Sequence, residues 1–242
     1  MDDELEQLLA TLNLRTIGDV LERELSNAQK RQVSYTIFLK RLLRQERDGQ
    51  VVRAMEYRIR RSRLPERWSL GTFPWAKQLS LERRVIEQLA ELNFVTAAEN
   101  IVLIGDTGTG KTGIASALLL QALKAGYRGL FIKAQDLFDE MYASLADRSS
   151  RKLVTRLSRI DVLLIDEMGY LNLRPEQTNI FFKLMEERYG RKATIITTNL
   201  GYEQWPEFLG NKSMVQALLD RLRHHCHTLR IEGPSLREPR IQ

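Results

Sequence analysis

The spacing of apolar positions changes character near residue 68. In "DELEQLLATLNL", Leu5, Leu8, Leu9 and Leu12 recur every three or four residues, the period of one helix face. "TIGDVLEREL" opens a second helix, and "SYTIFLKRLLRQERDGQVVRAMEYRIRRSRL" supplies one or two more. "LPERWSLGTFPWAKQ" follows with two prolines, a glycine, two tryptophans and no period, the composition of a linker. Beyond it, short apolar runs alternate with helical stretches. "NIVLIG", "GLFIKA", "DVLLID" and "KATIITTN" read as buried strands. "KTGIASALLLQALKAG", "AQDLFDEMYASL" and "PEQTNIFFKLMEERYG" read as the helices between them. "SMVQALLDRLRHH" is a final long helix, "TLRIEG" a last strand and "PSLREPRIQ" a tail. Alternating strands and helices predict an α/β fold with a parallel sheet covered by helices on both faces. A small all-helical domain precedes it, and the expected domains are 1–67 and 68–242.

Composition narrows the classes. At 242 residues and 43% hydrophobic, the chain can bury a sizeable core. No uninterrupted apolar run approaches the roughly 18 residues of a membrane span. "MDDELEQLLATL" is acidic and lacks the apolar core of a signal peptide. Cys226 is the one cysteine, so an internal disulfide is excluded and a reducing cytoplasm is expected. The net charge is +6, and it is unevenly distributed. Residues 1–29 hold two arginines against seven acids, whereas residues 30–67 hold twelve Lys or Arg against four. A second basic run, "DRSSRKLVTRLSR", lies at 147–159. Two such clusters suggest a surface that tracks the phosphates of DNA, the competing reading being solvated, salt-bridged helix faces. The candidates for phosphate contact are Lys40, Arg41, Arg44, Arg53, Arg58, Arg60, Arg61, Arg151 and Lys152.

The strongest chemical signal is "GDTGTGKT" at 105–112, which matches the P-loop pattern G-x-x-x-x-G-K-[ST] between a strand and a helix. Gly105, Asp106, Thr107, Gly108, Thr109 and Gly110 would turn backbone N–H groups around phosphates, helped by the positive end of the helix that follows. Lys111 would reach the β- and γ-phosphates of ATP, and the Thr112 hydroxyl would ligate Mg²⁺. "DVLLIDEMG" carries Asp166 and Glu167 to the end of a buried strand, where Asp166 would hold the Mg²⁺ shell and Glu167 would activate water. "ATIITTNL" ends another strand in Thr197, Thr198 and Asn199, and a neutral amide there could orient that water. In "LLDRLRHHCH", Arg221 or Arg223 could reach a neighbouring subunit's nucleotide as a finger in trans. His224, His225, Cys226 and His227 do not read as a metal site, because adjacent helical residues face different ways and no second ligand pair exists.

With "GDTGTGKT", "LLIDEMGY", "IITTNL" and "LLDRLRHH" in hand, the chain resembles the IstB-type helper ATPases of bacterial insertion sequences. These are relatives of the DnaC/DnaI helicase loaders within the AAA+ class. "YTIFLKRLLRQE" and the arginine-rich stretch after it resemble the helper ATPases more than the loaders. The resemblance implies a helical N-terminal domain before an AAA+ ATPase core, ATP-dependent homo-oligomers, duplex DNA binding and cooperation with the transposase of the same element. It makes Asn199 the sensor residue and Arg221 the trans finger. It also assigns the segment around 140–159 to the extra helical element of the initiator/loader branch. No full lid domain follows residue 227, and Arg237 is the candidate for a second sensor. Two other readings stay open: a DnaC/DnaI-like helicase loader, and a nucleotide kinase, against which the tandem Asp166-Glu167 and the lack of an evident substrate lid argue.

Overall fold

The computed structural model of the chain describes residues 3–78, 80–169, 171–210 and 212–236. It divides into two compact units, Met1–Tyr57 and Arg58–Gln242. The division falls inside a helix and ahead of the aperiodic linker. The last turn of that helix belongs with the second unit, because Arg58 Nε donates to the Leu123 carbonyl (3.0 Å) and Phe131 N donates to the Ser62 carbonyl (2.7 Å).

The first unit holds α1 (Asp3–Thr11), α2 (Arg15–Arg31) and most of α3 (Tyr35–Arg61). Ile17, Leu21 and Leu42 form its small core, with Leu9, Leu14, Val20 and Phe38 against them. One acid is buried beside this core. Glu46 is 3% exposed and accepts from Ile17 N (3.0 Å) in the first turn of α2 and from Arg53 (2.6 Å). Burial pushes the Glu46 carboxyl up, but the Ile17 N–H and Arg53 outweigh it and hold the pKa below the ordinary glutamate value. Arg53 also donates to Thr16 Oγ1 (2.6 Å).

In the second unit, α4 (Arg83–Ala90) and α5 (Asn93–Thr96) lead into β1 (Asn100–Gly105). Then follow α6 (Lys111–Lys124), β2 (Gly129–Lys133), α7 (Ala134–Ala146), α8 (Ser150–Ser158), β3 (Val162–Met168), α9 (Pro175–Arg188) and β4 (Ala193–Thr198). The unit closes with α10 (Trp205–Leu209), α11 (Lys212–His224) and β5 (Cys226–Ile231). The five strands are all parallel, in the order β2-β3-β4-β1-β5. Ile101–Leu103, Leu163–Ile165 and Ile195–Ile196 are fully buried, which is why these strands read as continuous apolar runs rather than alternating ones. α6 is buried nearly all round, from Gly113 to Leu123, and lies against β1, β2, β3 and β4.

A side chain ties one edge of this core. Arg188, at the end of α9, is 1% exposed. It donates to Thr194 Oγ1 (3.0 Å), to the Leu157 and Ile160 carbonyls (2.8 Å each) and to the Ala193 carbonyl. It thereby ties the end of α8 to the start of β4 through buried hydrogen bonds. No helix among the described residues is long and apolar enough to cross a membrane.

Candidate nucleotide site

The parallel register brings the C-terminal ends of β1, β3 and β4 to one edge of the sheet, where ligands of open α/β folds bind. β4 lies between β1 and β3, so the P-loop and the two acids flank it rather than touch strand to strand. A cavity of about 580 Å³ opens there, lined by Thr107, Gly108, Gly110, Lys111 and Thr112 on one side. Lys133, Glu167, Thr197, Thr198 and Asn199 line the other side, and Trp68, Phe73, Pro74 and Leu236 one end.

The P-loop runs from the end of β1 to the start of α6 as the motif requires. Thr109 Oγ1 donates to the Asp106 carbonyl (2.8 Å) and closes the turn. Lys111 Nζ donates to the carbonyls of Gly105 and Asp106, both at 2.7 Å, which holds the ammonium at the mouth of the loop. Asp166 does not line the cavity itself and is 2% exposed. Its Oδ1 accepts from Thr112 Oγ1 (2.9 Å) and Thr197 Oγ1 (2.5 Å), and Thr197 Oγ1 in turn accepts from Glu167 N (2.9 Å). One carboxylate oxygen is thus fixed by two hydroxyls, one from the P-loop helix and one from β4. The result is a cluster of hard oxygen donors, the donor type that Mg²⁺ takes.

Glu167 points the other way along the same strand and is exposed to the cavity. Its φ of +58° is unusual for a residue with a side chain, and the β3–β4 register shifts between Ile165 and Met168 at the same place. Such strain collects where a side chain must be re-aimed. The Glu167 carboxylate sits 3.2 Å from Lys133 Nζ, at the end of β2. Asn199 follows β4 and lines the cavity with Thr197 and Thr198. The structure therefore brings together all eight P-loop residues, Asp166, Glu167 and Asn199.

Arg221 is elsewhere. It lines a second cavity of about 340 Å³ between α9 and α11, and its guanidinium lies 3.3 Å from Glu186. It does not line the first cavity. Of the cationic candidates, Lys40, Arg44, Arg60, Arg61, Arg151 and Lys152 are exposed and Arg41 is half-buried. Arg53 is engaged by Glu46 and Thr16, and Arg58 by the Leu123 carbonyl. No group of three or more metal-ligating side chains occurs among the described residues, the His224–His227 run included. Arg237 lies outside the described residues.

Sequence reasoning missed three features of this site. Trp68, Phe73 and Pro74 fall in the stretch that reads as linker, although the density of aromatic residues there is a signal. Leu236 falls in the tail. Lys133 falls in the strand "GLFIKA" and carries no signal of its own; its pairing with Glu167 depends on the β2–β3 register, which places Lys133 opposite Asp166.

Burial raises the Asp166 pKa above the ordinary aspartate value, against the two hydroxyls, which lower it. The folded chain therefore binds a proton at Asp166 more readily than the unfolded chain does. Its ionised form costs stability at neutral pH, and that cost is relieved as pH falls through the raised pKa. Asp166→Asn keeps the acceptor oxygen without the charge. Without nucleotide at pH 7, its melting temperature is expected to equal the wild type's or exceed it by a few degrees, the difference shrinking toward acid pH. A clearly lower melting temperature at pH 7 would contradict this account of the site.

Comparison with known proteins agrees with this geometry. The family model of the IstB-like ATP binding protein matches residues 7–241. The chain is 37% identical over 234 residues to the ATP-binding protein of insertion sequence IS21 from Pseudomonas aeruginosa, covering 97% of this chain and 88% of that one. It is 32% identical over 244 residues to that of insertion sequence IS5376 from Geobacillus stearothermophilus, covering 100% and 97%. Among solved structures, the DnaC helicase loader aligns with a TM-score of 0.58 at 24% identity, over 68% of this chain and 96% of that one. DnaI aligns with 0.58 at 22%, over 69% and 92%. These two likenesses concern the fold, a parallel sheet flanked by helices with the P-loop after its first strand. By sequence and by site, the chain belongs to the family of IstB-like ATP-binding proteins.

Proposed function

We propose that the chain is an ATP-dependent DNA-binding helper of transposition. On this reading it assembles with MgATP into a homo-oligomer on duplex target DNA, in the cytoplasm, and recruits or stimulates the transposase of the same element. The observation that carries the proposal is the convergence of the P-loop, Glu167 and Asn199 on one cavity, with Asp166 bonded to Thr112 and Thr197 of its wall, in a chain whose relatives are ATP-binding proteins of insertion sequences.

The chemistry follows from where charge develops. The P-loop N–H groups and Lys111 hold the phosphates of ATP. Thr112 and Asp166 would supply the protein's oxygens to Mg²⁺, which would offset phosphate charge when bound. Glu167 takes the proton of the attacking water, and Asn199 orients that water. Lys133 holds the Glu167 carboxylate at the cavity wall. Arg221 completes the site of a neighbouring copy rather than its own. The basic residues of α3 and α8 contact phosphates of the duplex without reading sequence.

Lys40, Arg44 and Arg60 are exposed cations that test the DNA part of this reading. Each lost phosphate contact leaves one fewer condensed cation to release. Replacing all three by alanine should therefore make the log–log salt dependence of binding to a random-sequence duplex shallower by roughly 2.7. The salt series is run on the full chain with MgATP. An unchanged slope would mean that these cations do not meet phosphates. Preference for single-stranded DNA over the duplex would favour a helicase loader.

A further inference from the structure

The chain leaves β5 at Ile231, in register with Gly105, so the residues beyond it emerge beside the P-loop. We propose that Glu232–Leu236 is a strap that braces the P-loop from its outer side, closes the base end of the nucleotide cavity, and seats more firmly when ATP is bound.

Three contacts fix the strap. Glu232 N donates to Ser80 Oγ (2.9 Å), Gln78 Nε2 donates to the Pro234 carbonyl (2.8 Å), and Leu236 N donates to the Gly108 carbonyl (2.8 Å). The first two bind it to the segment that carries Phe73; the third binds it to the P-loop itself. A P-loop turns its N–H groups inward to phosphate, which leaves carbonyls facing out. A donor from the strap satisfies one of these and stiffens the loop in its phosphate-binding form.

The motif glycines show how close the approach is. A Cβ on Gly108, which has φ +87°, would lie 2.2 Å from Ser235 Oγ. A Cβ on Gly110, at φ +96°, would lie 2.8 Å from the Phe73 ring and 3.0 Å from Leu236 Cδ1. Phe73 and Leu236 both line the cavity, at the end also lined by Trp68. That end is apolar and suits the face of a nucleobase, while the phosphates lie at the loop. ATP and the strap thus hold one loop from opposite sides and complete one wall. Each therefore favours the other, and the coupling is reciprocal.

The inference rests on the reading of this cavity as the ATP site, and the test separates the two. MgATP affinity is measured by displacement of a fluorescent ATP analogue from the full chain, from Leu236→Pro, from Leu236→Ala and from Lys111→Ala. Leu236→Pro, which removes the N–H that bonds the Gly108 carbonyl, should weaken binding by roughly tenfold or more, and Leu236→Ala, which keeps that backbone contact, by several-fold. In a second arm, the thiol of Ser235→Cys, in a Cys226→Ser background, should react more slowly with a maleimide when MgATP is present. Wild-type affinity in both strap variants, with binding lost in Lys111→Ala, would overturn the strap alone. An ATP-independent labelling rate at position 235 would overturn the coupling. Wild-type affinity in Lys111→Ala would overturn the ATP reading of the cavity, and the strap with it.

Discussion

Glu167→Gln is expected to bind MgATP as the wild type does and to hydrolyse it at least about a hundredfold more slowly, the lower end of what a positioned general base contributes. The substitution keeps the size and polarity of the side chain. Glu167 N stays bonded to Thr197 Oγ1, so the strand end and Asp166 keep their arrangement. What is lost is the carboxylate that can take a proton. Lys111→Ala is expected to fail one step earlier, at binding, because the loop loses its one side-chain cation for the phosphates. Paired binding and steady-state ATPase measurements separate the two. Full turnover by Glu167→Gln would remove it from the catalytic role, and the Lys133–Glu167 ion pair would then be a surface contact only.

Arg221→Ala should retain ATP binding and lose ATP hydrolysis by about a thousandfold or more if it acts as an arginine finger. Arg221 lies between α9 and α11, paired with Glu186, and does not line the nucleotide cavity of its own chain. A role in hydrolysis therefore requires a second copy. Mixing Arg221→Ala with Lys111→Ala should restore part of the activity. The Arg221→Ala chain keeps an intact P-loop, and the Lys111→Ala chain keeps the arginine that its neighbour needs. Wild-type hydrolysis by Arg221→Ala alone would defeat the assignment and leave Arg223 as the next candidate.

The parts of this site that were legible in the sequence are local. The P-loop needs a strand, six loop residues and a helix start, all contiguous. Asp166 and Glu167 stand out because four apolar residues precede them in a strand buried on both faces. The strand order was not legible, and so neither was the insertion of β4 between the P-loop and the acids, which places Thr197 to fix Asp166. The aromatic wall and the strap were missed for a related reason. Trp68, Phe73 and Leu236 have no periodicity, and they meet only because β5 returns the chain to the start of the P-loop. Charge counting met the same limit. Arg53 and Arg58 count as basic in the sequence, yet Glu46, Thr16 and the Leu123 carbonyl engage them in the fold.

ATP held in this cavity is expected to drive assembly on duplex DNA. Sedimentation of a labelled random-sequence duplex with the full chain, with and without MgATP, measures this. Many basic patches along one duplex raise each other's effective concentration, so assembly and tight binding should appear together. The wild type should form a large, ATP-dependent protein–DNA species, one that persists longer with Glu167→Gln and is absent with Lys111→Ala. A complex of the same size and affinity with and without ATP, formed equally by Lys111→Ala, would contradict it.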